Sequence, residues 1–195
     1  MSDNEANTMA IEALATVSQA FNVLEVGKLG VIKFGESAEL VQPFKSGFTP
    51  EDGGRILQDF KFSQTKTSIL SLVQESINAF MKQGAEVSNS LSQLLVIISD
   101  GRGVFHEGKD ELLQALRKAA SAKIFIMFVI VETKNEASIL DIRFPVFDDS
   151  HNLLRIESYM DNFPFNYYIL LKDMKSLPHT LCGALQQWFE MTNYK

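Results

Sequence analysis

The stretch that decides the fold is Leu94 to Ile98 (LLVII), followed directly by Ser99-Asp100-Gly101-Arg102-Gly103. An unbroken apolar run of this length is typical of a strand that is buried on both faces. Two further runs, Ile124 to Val131 (IFIMFVIV) and Tyr167 to Leu171 (YYILL), predict two more strands of the same kind. Helical patterns separate these runs, and alternating strands and helices predict an α/β fold, a mostly parallel sheet with helices on both faces.

The helices are predicted from apolar residues that recur at steps of three and four. These patterns cover residues 5–24, 49–60, 68–83, 109–122 and 177–191. Asp3 or Asn4 is the expected N-cap of the first helix, while Thr49 caps the second and Pro50 takes its first helical position. In the last helix we expect Phe189 to face inward together with Leu177, Leu181, Leu185 and Trp188.

Two hairpins interrupt this alternation. Residues 29–34 and 38–44 predict two strands joined by a turn at Gly35-Glu36-Ser37. Residues 143–147 and 153–157 predict two short strands joined by a turn-rich link at residues 148–152. The second hairpin does not fit the alternation of strands and helices, so we interpret it as an insertion near residues 143–157.

Composition excludes several classes of protein. A chain of 195 residues is long enough for one domain, and we treat 1–195 as a single unit. The net charge of −6 argues against general nucleic-acid binding, which needs a basic surface. The single cysteine, Cys182, favours a reducing compartment because it cannot form an internal disulfide. The sequence contains no apolar run of the roughly 18–20 residues that a membrane span needs, and MSDNEANTMA does not have the pattern of a secretory signal.

Asp100 is the strongest candidate functional residue in this pattern. It directly follows a buried strand, and ligands of open α/β sheets bind beyond the carboxyl ends of the strands. Enzymatic alternatives are weaker. His179 and Cys182 lie three residues apart on one helix, where a cysteine is more often part of the core than a nucleophile. Gly101-x-Gly103 lacks the third glycine of a dinucleotide site and the Lys-Ser/Thr of a P-loop. We expect His106 and His151 to be solvated loop residues.

At Ile98-Ser99-Asp100-Gly101 the sequence resembles the fourth strand and third metal loop of the von Willebrand factor A domain family. Thr67, just before a predicted helix, matches the threonine of that family's second loop. The resemblance implies a von Willebrand factor A-like (Rossmann-like) fold with a metal-ion-dependent adhesion site. Thr67 and Asp100 would be metal ligands, and Gly101, Arg102 and Gly103 would contact the partner.

Four stretches narrow the resemblance to the C-terminal domain of the midasin family, giant AAA-type ATPases of large-ribosomal-subunit assembly. They are LVIISDGRG (95–103), SILDIRFPVF (138–147), IESYMDNFPF (156–165) and LPHTLCGALQQWFE (177–190). This resemblance implies a docking module that is not itself an enzyme, since the ATPase ring lies outside this chain. The implied partner is the ubiquitin-like domain of WD-repeat ribosome assembly factors, bound through a metal-bridged acidic contact.

The same resemblance implies a place in the cell. The docking would serve the release of assembly factors from pre-60S ribosomal particles, in the nucleus (nucleolus and nucleoplasm), without a membrane or a direct nucleic-acid partner. The implied cofactor of the complete domain is Mg²⁺, or Ca²⁺ or Mn²⁺ in its place.

The sequence departs from the family at its beginning. The Asp-x-Ser-x-Ser loop of the family is absent, and Met1-Ser2-Asp3-Asn4 resembles the junction that follows it. We therefore expect the first central strand to be missing, the strands at 29–34 and 94–98 to be separated or distorted, and metal binding by this chain to be weak or absent. Residues 148–152 (Asp-x-Ser-x-Asn) imitate the motif, but we interpret them as a hairpin turn. An A-like domain with an incomplete metal site and a structural role is the alternative, and a Rossmann-like enzyme is a weaker one.

Overall fold

A computed structural model describes residues 2–23, 27–59, 66–84, 93–105, 108–132 and 137–193. The helices in these ranges are α1 (Ser2–Val23), α2 (Pro50–Asp59), α3 (Ile69–Gly84), α4 (Lys109–Ser121) and α5 (Leu177–Asn193). The strands are β1 (Lys28–Phe34), β2 (Ala38–Ser46), β3 (Gln93–Ser99), β4 (Ile124–Val131), β5 (Arg143–Phe147), β6 (Leu153–Ser158) and β7 (Tyr168–Leu171). His106, which we expected to be a solvated loop residue, lies outside the described residues.

The centre of the fold is a parallel sheet in the order β3-β4-β7. Ile98 of β3 lies opposite Val129 of β4, and Val129 lies opposite Ile169 of β7. The prediction of an α/β protein with a mostly parallel sheet is thus confirmed. All three strands run in one direction, so their carboxyl ends form a single edge of the sheet.

The two long apolar runs are buried to different degrees. β4 is the central strand, and Met127, Phe128, Val129 and Ile130 are all fully buried. In β3 only Ile97 is fully buried, at 1% exposure, while the other residues are half-buried. Both faces of β3 are covered as predicted, since Val96 and Ile98 pack against the core that contains α1 and α5, and Leu95 and Ile97 pack in the core that contains α3 and α4. Burial is less complete than in β4, because β3 pairs with β4 alone among the described strands.

Helices cover both faces of the parallel sheet, as predicted. Alternate residues of β4 enter two separate cores: Met127 and Val129 pack with α1 and α5, whereas Phe128 and Ile130 pack with α3 and α4. The first core contains Val17, Leu181, Leu185 and Trp188, and the second contains Val73, Leu112 and Ala115. This split follows from the two-residue period of a strand, which directs successive side chains to opposite faces.

The β1–β2 hairpin is antiparallel and forms a sheet of its own. Its prediction is confirmed, and so is the expectation that β1 and β3 do not form a regular pair within the described residues. Nevertheless Leu29 of β1 packs against the α1/α5 core, and Ile32 packs against the α3/α4 core. β1 therefore contributes to the same two layers as the parallel sheet, although no hydrogen-bonded ladder joins the two sheets in the described ranges.

The inserted hairpin is formed by β5 and β6, as predicted. Asp148 organises its turn, because its Oδ1 accepts hydrogen bonds from the backbone amides of Ser150 and Asn152, each at 2.9 Å. The backbone amide of Asn152 is the main reason that the pKa of Asp148 is lowered. His151 adopts a φ of 60° at this turn and is exposed. The interpretation of residues 148–152 as a hairpin turn is confirmed.

Three local predictions about helices were wrong. α1 begins at Ser2, so Asp3 and Asn4 lie inside the helix rather than at its N-cap. Phe189 is 37% exposed, although its ring lies 4.8 Å from that of the buried Trp188. Cys182 is exposed rather than part of the core, because it lies at the edge of the α5 face that carries Leu181 and Leu185. No described helix is long and apolar enough to span a bilayer.

Candidate docking site at the carboxyl edge of the sheet

Asp100 lies at the carboxyl edge of the parallel sheet, one residue beyond β3, and is exposed. Its Oδ1 accepts a hydrogen bond from the Arg102 backbone amide at 3.1 Å and a longer one from the Ser99 hydroxyl at 3.4 Å. These local bonds orient the carboxylate and leave it open to solvent. The sequence prediction for the position of Asp100 is therefore confirmed, whereas its role as a ligand stays a prediction.

Gly101 gives the Asp100 loop, residues 99–103, its shape. Its φ is +73°, a conformation that residues with a side chain rarely adopt. A Cβ atom at this position would lie 3.0 Å from Cδ1 of Ile139. Gly101 is itself buried, whereas Arg102 and Gly103 are half-buried. Of the three predicted partner contacts, Arg102 and Gly103 are thus the more accessible.

Tyr159 holds the loop from the side of the insertion. Its hydroxyl donates a hydrogen bond to the Gly101 carbonyl at 2.6 Å. Burial raises the pKa of Tyr159 to about 12, and the nearby negative charge of Asp100 acts in the same direction. The phenol therefore stays protonated and remains a donor to the loop. A second tether comes from Arg102, whose Nη2 donates to the Ala137 carbonyl at 2.5 Å.

Glu132 is a buried carboxylate at the same edge that the sequence reasoning missed. It directly follows the central strand β4 and is only 9% exposed. Its Oε1 accepts hydrogen bonds from the Ser138 hydroxyl at 2.7 Å and the Ile139 backbone amide at 2.6 Å. A signal was present in the sequence, since Glu132 occupies the same position after its strand as Asp100 does after β3.

Thr67 lies two residues before α3 and is half-buried. Its neighbour Ser68 donates its backbone amide to the Gly35 carbonyl at 2.6 Å, which fixes this segment against the β1–β2 turn. Within the part of the chain that the structure describes, the hydroxyl of Thr67 makes no hydrogen bond. The hydrogen bonds described here tie Ser68, next to Thr67, to the β1–β2 turn, and tie Gly101, next to Asp100, to Tyr159. The convergence of Thr67 and Asp100 on one metal ion therefore stays a prediction.

The described residues do not form a complete magnesium site. Mg²⁺ prefers about six oxygen ligands in octahedral order. Asp100 and Thr67 offer oxygen atoms of the right kind, but only one carboxylate and one hydroxyl. Across the described ranges, no group of three or more His, Cys, Asp or Glu side chains is placed to hold a metal ion.

A shallow groove of about 480 Å³ lies elsewhere, between β7 and α5. Tyr168, His179, Thr180 and Gln187 are among the residues that line it. Cys182 does not line this groove, so the groove offers no support for a His179–Cys182 nucleophile.

Comparison with known proteins shows that this sequence is similar to midasin. The chain is 33% identical over 185 residues to midasin of Dictyostelium discoideum, a match that covers 94% of this chain and 3% of that protein. It is 32% identical over 190 residues to midasin of Giardia intestinalis, covering 93% of this chain and 4% of that protein. The chain thus spans a very small part of these relatives. No protein-family profile matches it.

A solved structure shares the fold. The crystal structure of the conserved hypothetical protein BatB from Bacteroides thetaiotaomicron superposes with a TM-score of 0.59 over 96% of this chain and 88% of that chain. The two sequences are only 15% identical. This similarity therefore supports the α/β arrangement of sheet and helices and nothing about activity.

Proposed function

Because the chain is related over most of its length to one short segment of midasin, we propose that it is a protein-docking module with a von Willebrand factor A-like fold. The proposed partner is the ubiquitin-like domain of a WD-repeat ribosome assembly factor. The module binds and positions this partner, and any ATPase activity belongs to other parts of the longer protein.

A single observation carries the proposal. Asp100 is an exposed carboxylate on a loop whose backbone is held at Gly101 and Arg102 by hydrogen bonds and close packing. A docking group works best when its geometry is fixed before the partner arrives, because less conformational entropy is then lost on binding. The carboxyl edge of a parallel sheet is also where open α/β folds bind their ligands.

A divalent cation completes the proposed contact. An acidic side chain of the partner would meet the carboxylate of Asp100, and two carboxylates at short range disfavour each other's charged form. A cation held between them removes this conflict. In the complete site Asp100 and Thr67 would supply a carboxylate and a hydroxyl, and an Asp-x-Ser-x-Ser loop would supply the remaining protein ligands to Mg²⁺, Ca²⁺ or Mn²⁺.

In this proposal, docking serves the release of assembly factors from pre-60S particles in the nucleus. The docked factor is the point at which force generated elsewhere in a midasin-like ATPase is applied. The Asp100 loop is suited to bear such a load, since it follows directly from the parallel sheet and is tethered to the insertion through Tyr159.

The test is calorimetric titration of a ubiquitin-like domain into an extended chain that carries a strand and an Asp-x-Ser-x-Ser loop before Met1. We expect Asp100→Asn to abolish binding while the circular dichroism spectrum is unchanged. Asp149→Asn is the matched control, because it removes the same charge from the exposed tip of the inserted hairpin. A chelator should abolish binding by the unsubstituted chain. If Asp100→Asn retains the affinity, the docking mechanism is wrong.

A second candidate is a structural module that needs no metal. It is favoured by the small donor set, one carboxylate and one hydroxyl, that Asp100 and Thr67 provide. Under this alternative the extended chain binds Mg²⁺ no better than the present one, and the ubiquitin-like domain binds neither. The same titrations therefore separate the two candidates.

A further inference from the structure

Glu132 lies at the same carboxyl edge of the parallel sheet as Asp100, but its side chain is buried rather than exposed. Its carboxylate is the acceptor for two donors of a single turn, the Ser138 hydroxyl and the Ile139 backbone amide. Burying a carboxylate is unfavourable unless hydrogen bonds compensate for the lost hydration. An apolar side chain would fill the same space without that cost, so the distinctive contribution of Glu132 is the position that it imposes on this turn.

The turn in question, residues 137–141, touches the Asp100 loop twice. Ile139 is 1% exposed, and its Cδ1 lies 3.0 Å from where a Cβ of Gly101 would stand. On the other side of the turn, the Ala137 carbonyl accepts the hydrogen bond from Arg102. The turn therefore supports the loop at two consecutive residues, Gly101 and Arg102, directly beside Asp100.

Glu132 and the Asp100 loop belong to different strands, and the turn connects them. Glu132 extends the central strand β4, since its backbone amide donates to the Leu171 carbonyl of β7 at 2.9 Å. Its backbone is thereby hydrogen-bonded into the parallel sheet. The Glu132 side chain connects the sheet to the turn through Ser138 and Ile139, and the turn itself contacts Gly101 and Arg102.

We propose that Glu132 is a positioning residue for the docking loop and that it acts through the Ser138–Ile139 turn to hold Asp100 in its binding geometry. The inference rests on the proposed function, because it gives Asp100 the docking role. It assigns Glu132 no contact with the partner or with a cation.

Amide hydrogen exchange measured by NMR tests this inference on the present chain. The amides of Gly101 and Arg102 are suitable reporters because they donate to the Ser99 hydroxyl and to Asp100. Glu132→Ala removes the acceptor of both hydrogen bonds to the turn, those from the Ser138 hydroxyl and the Ile139 backbone amide. We expect exchange at Ile139, Gly101 and Arg102 to become at least about ten-fold faster, with Val129 in β4 unchanged.

Glu132→Gln is the conservative variant, because its amide oxygen can replace Oε1 as the acceptor. It should restore exchange at Gly101 and Arg102 to within a few-fold of the unsubstituted chain. Asp141→Ala is the matched control, since it removes an exposed carboxylate from the same turn and should change neither loop amide. If Glu132→Ala does not fold, Ser138→Ala removes one of the two donors and should accelerate exchange at the same three amides to a smaller extent.

Faster exchange at Ile139 alone, with Gly101 and Arg102 unchanged, would overturn the inference, because Glu132 would then hold only its own turn. Equal effects of Glu132→Ala and Asp141→Ala would also overturn it. The proposed function is judged separately, by the affinity of the extended chain for the ubiquitin-like domain. If Asp100→Asn leaves that affinity intact while the exchange result holds, the docking role fails and the structural coupling stands.

Discussion

Replacing Gly101 with alanine should destabilise the protein through two effects that can be measured separately. Gly101 has a φ of +73°, and a Cβ there would lie 3.0 Å from Cδ1 of the buried Ile139. The first effect is backbone strain, because a left-handed conformation costs an L-residue about 1–2 kcal/mol. The second is crowding, since an extra methyl group in a packed core costs about 1–3 kcal/mol.

Together these effects predict a loss of about 2–5 kcal/mol in the free energy of unfolding, out of the 5–15 kcal/mol that is typical of a domain. Two other glycines provide matched controls for the same substitution. Gly47 has a φ of +71° with nothing within 4 Å, so Gly47→Ala should show the strain alone, about 1–2 kcal/mol. Gly54 lies inside α2 with open space around it, so Gly54→Ala should stabilise the protein by about 0.8–1 kcal/mol.

Urea unfolding followed by circular dichroism gives all three values on one scale, since the free energy falls linearly with denaturant. The expected order of stability is Gly54→Ala, then the unsubstituted chain, then Gly47→Ala, then Gly101→Ala. If Gly101→Ala costs no more than Gly47→Ala, the close packing of Ile139 against the loop is wrong. If neither variant is destabilised, the left-handed backbone at these positions is wrong as well.

Three further outcomes are expected. The pKa of Asp52 is lowered to about 2, chiefly by its hydrogen bond to Lys45 and also by the Thr49 backbone amide. The carboxylate therefore stabilises the fold fully above pH 4, and this contribution is lost as the pH falls towards 2, so urea midpoints of Asp52→Asn and the unsubstituted chain should converge in acid. Tyr159→Phe should lower stability by about 0.5–1.5 kcal/mol at pH 7, because it removes the hydrogen bond to the Gly101 carbonyl. Since the pKa of Tyr159 is raised to about 12, the unsubstituted chain should lose this advantage as the pH rises above 10. Calorimetric titration of Mg²⁺ into the present chain should show dissociation in the millimolar range or weaker, as expected for few charged ligands, with tighter binding once an Asp-x-Ser-x-Ser loop is added.

Each of these outcomes has a result that would contradict it. A constant difference between Asp52→Asn and the unsubstituted chain from pH 7 to pH 2.5 would show that the charge of Asp52 does not stabilise the fold. Equal stability of Tyr159→Phe at pH 7 would remove the tether to Gly101. Micromolar Mg²⁺ binding by the present chain would mean that other residues supply the ligands that Asp100 and Thr67 lack.

Local sequence patterns were sufficient to predict most of the elements. The run Ile124–Val131 has the strand that was predicted for it, and Thr49-Pro50 starts α2 as expected, with the Asp52 backbone amide donating to the Thr49 hydroxyl at 3.3 Å. The inserted hairpin was predicted with both of its strands. These features depend on residues close together in the chain, whose turn and cap preferences act before any tertiary contact is made.

The tertiary structure alone decided which of these elements meet. LLVII and IFIMFVIV look alike as sequences, yet only β4 is paired on both sides in the described structure, because burial of a strand depends on its neighbours and not on its own composition. The same reason explains why Cys182 and Phe189 are exposed although they were expected in the core. Their positions on α5 were predicted from helical periodicity, which does not show where the core ends.

The residues of the candidate site likewise fall into two groups, those that the sequence placed and those that only the tertiary structure placed. The sequence by itself determined where Asp100 lies, since a carboxylate that directly follows a strand of a parallel sheet must lie at the carboxyl edge. Only the tertiary structure brought Ile139 and Tyr159 to that loop, from 38 and 58 residues further along the chain than Gly101, and joined Ile139 to Glu132. Contacts over such separations are formed by tertiary packing, and no local pattern in the sequence encodes them.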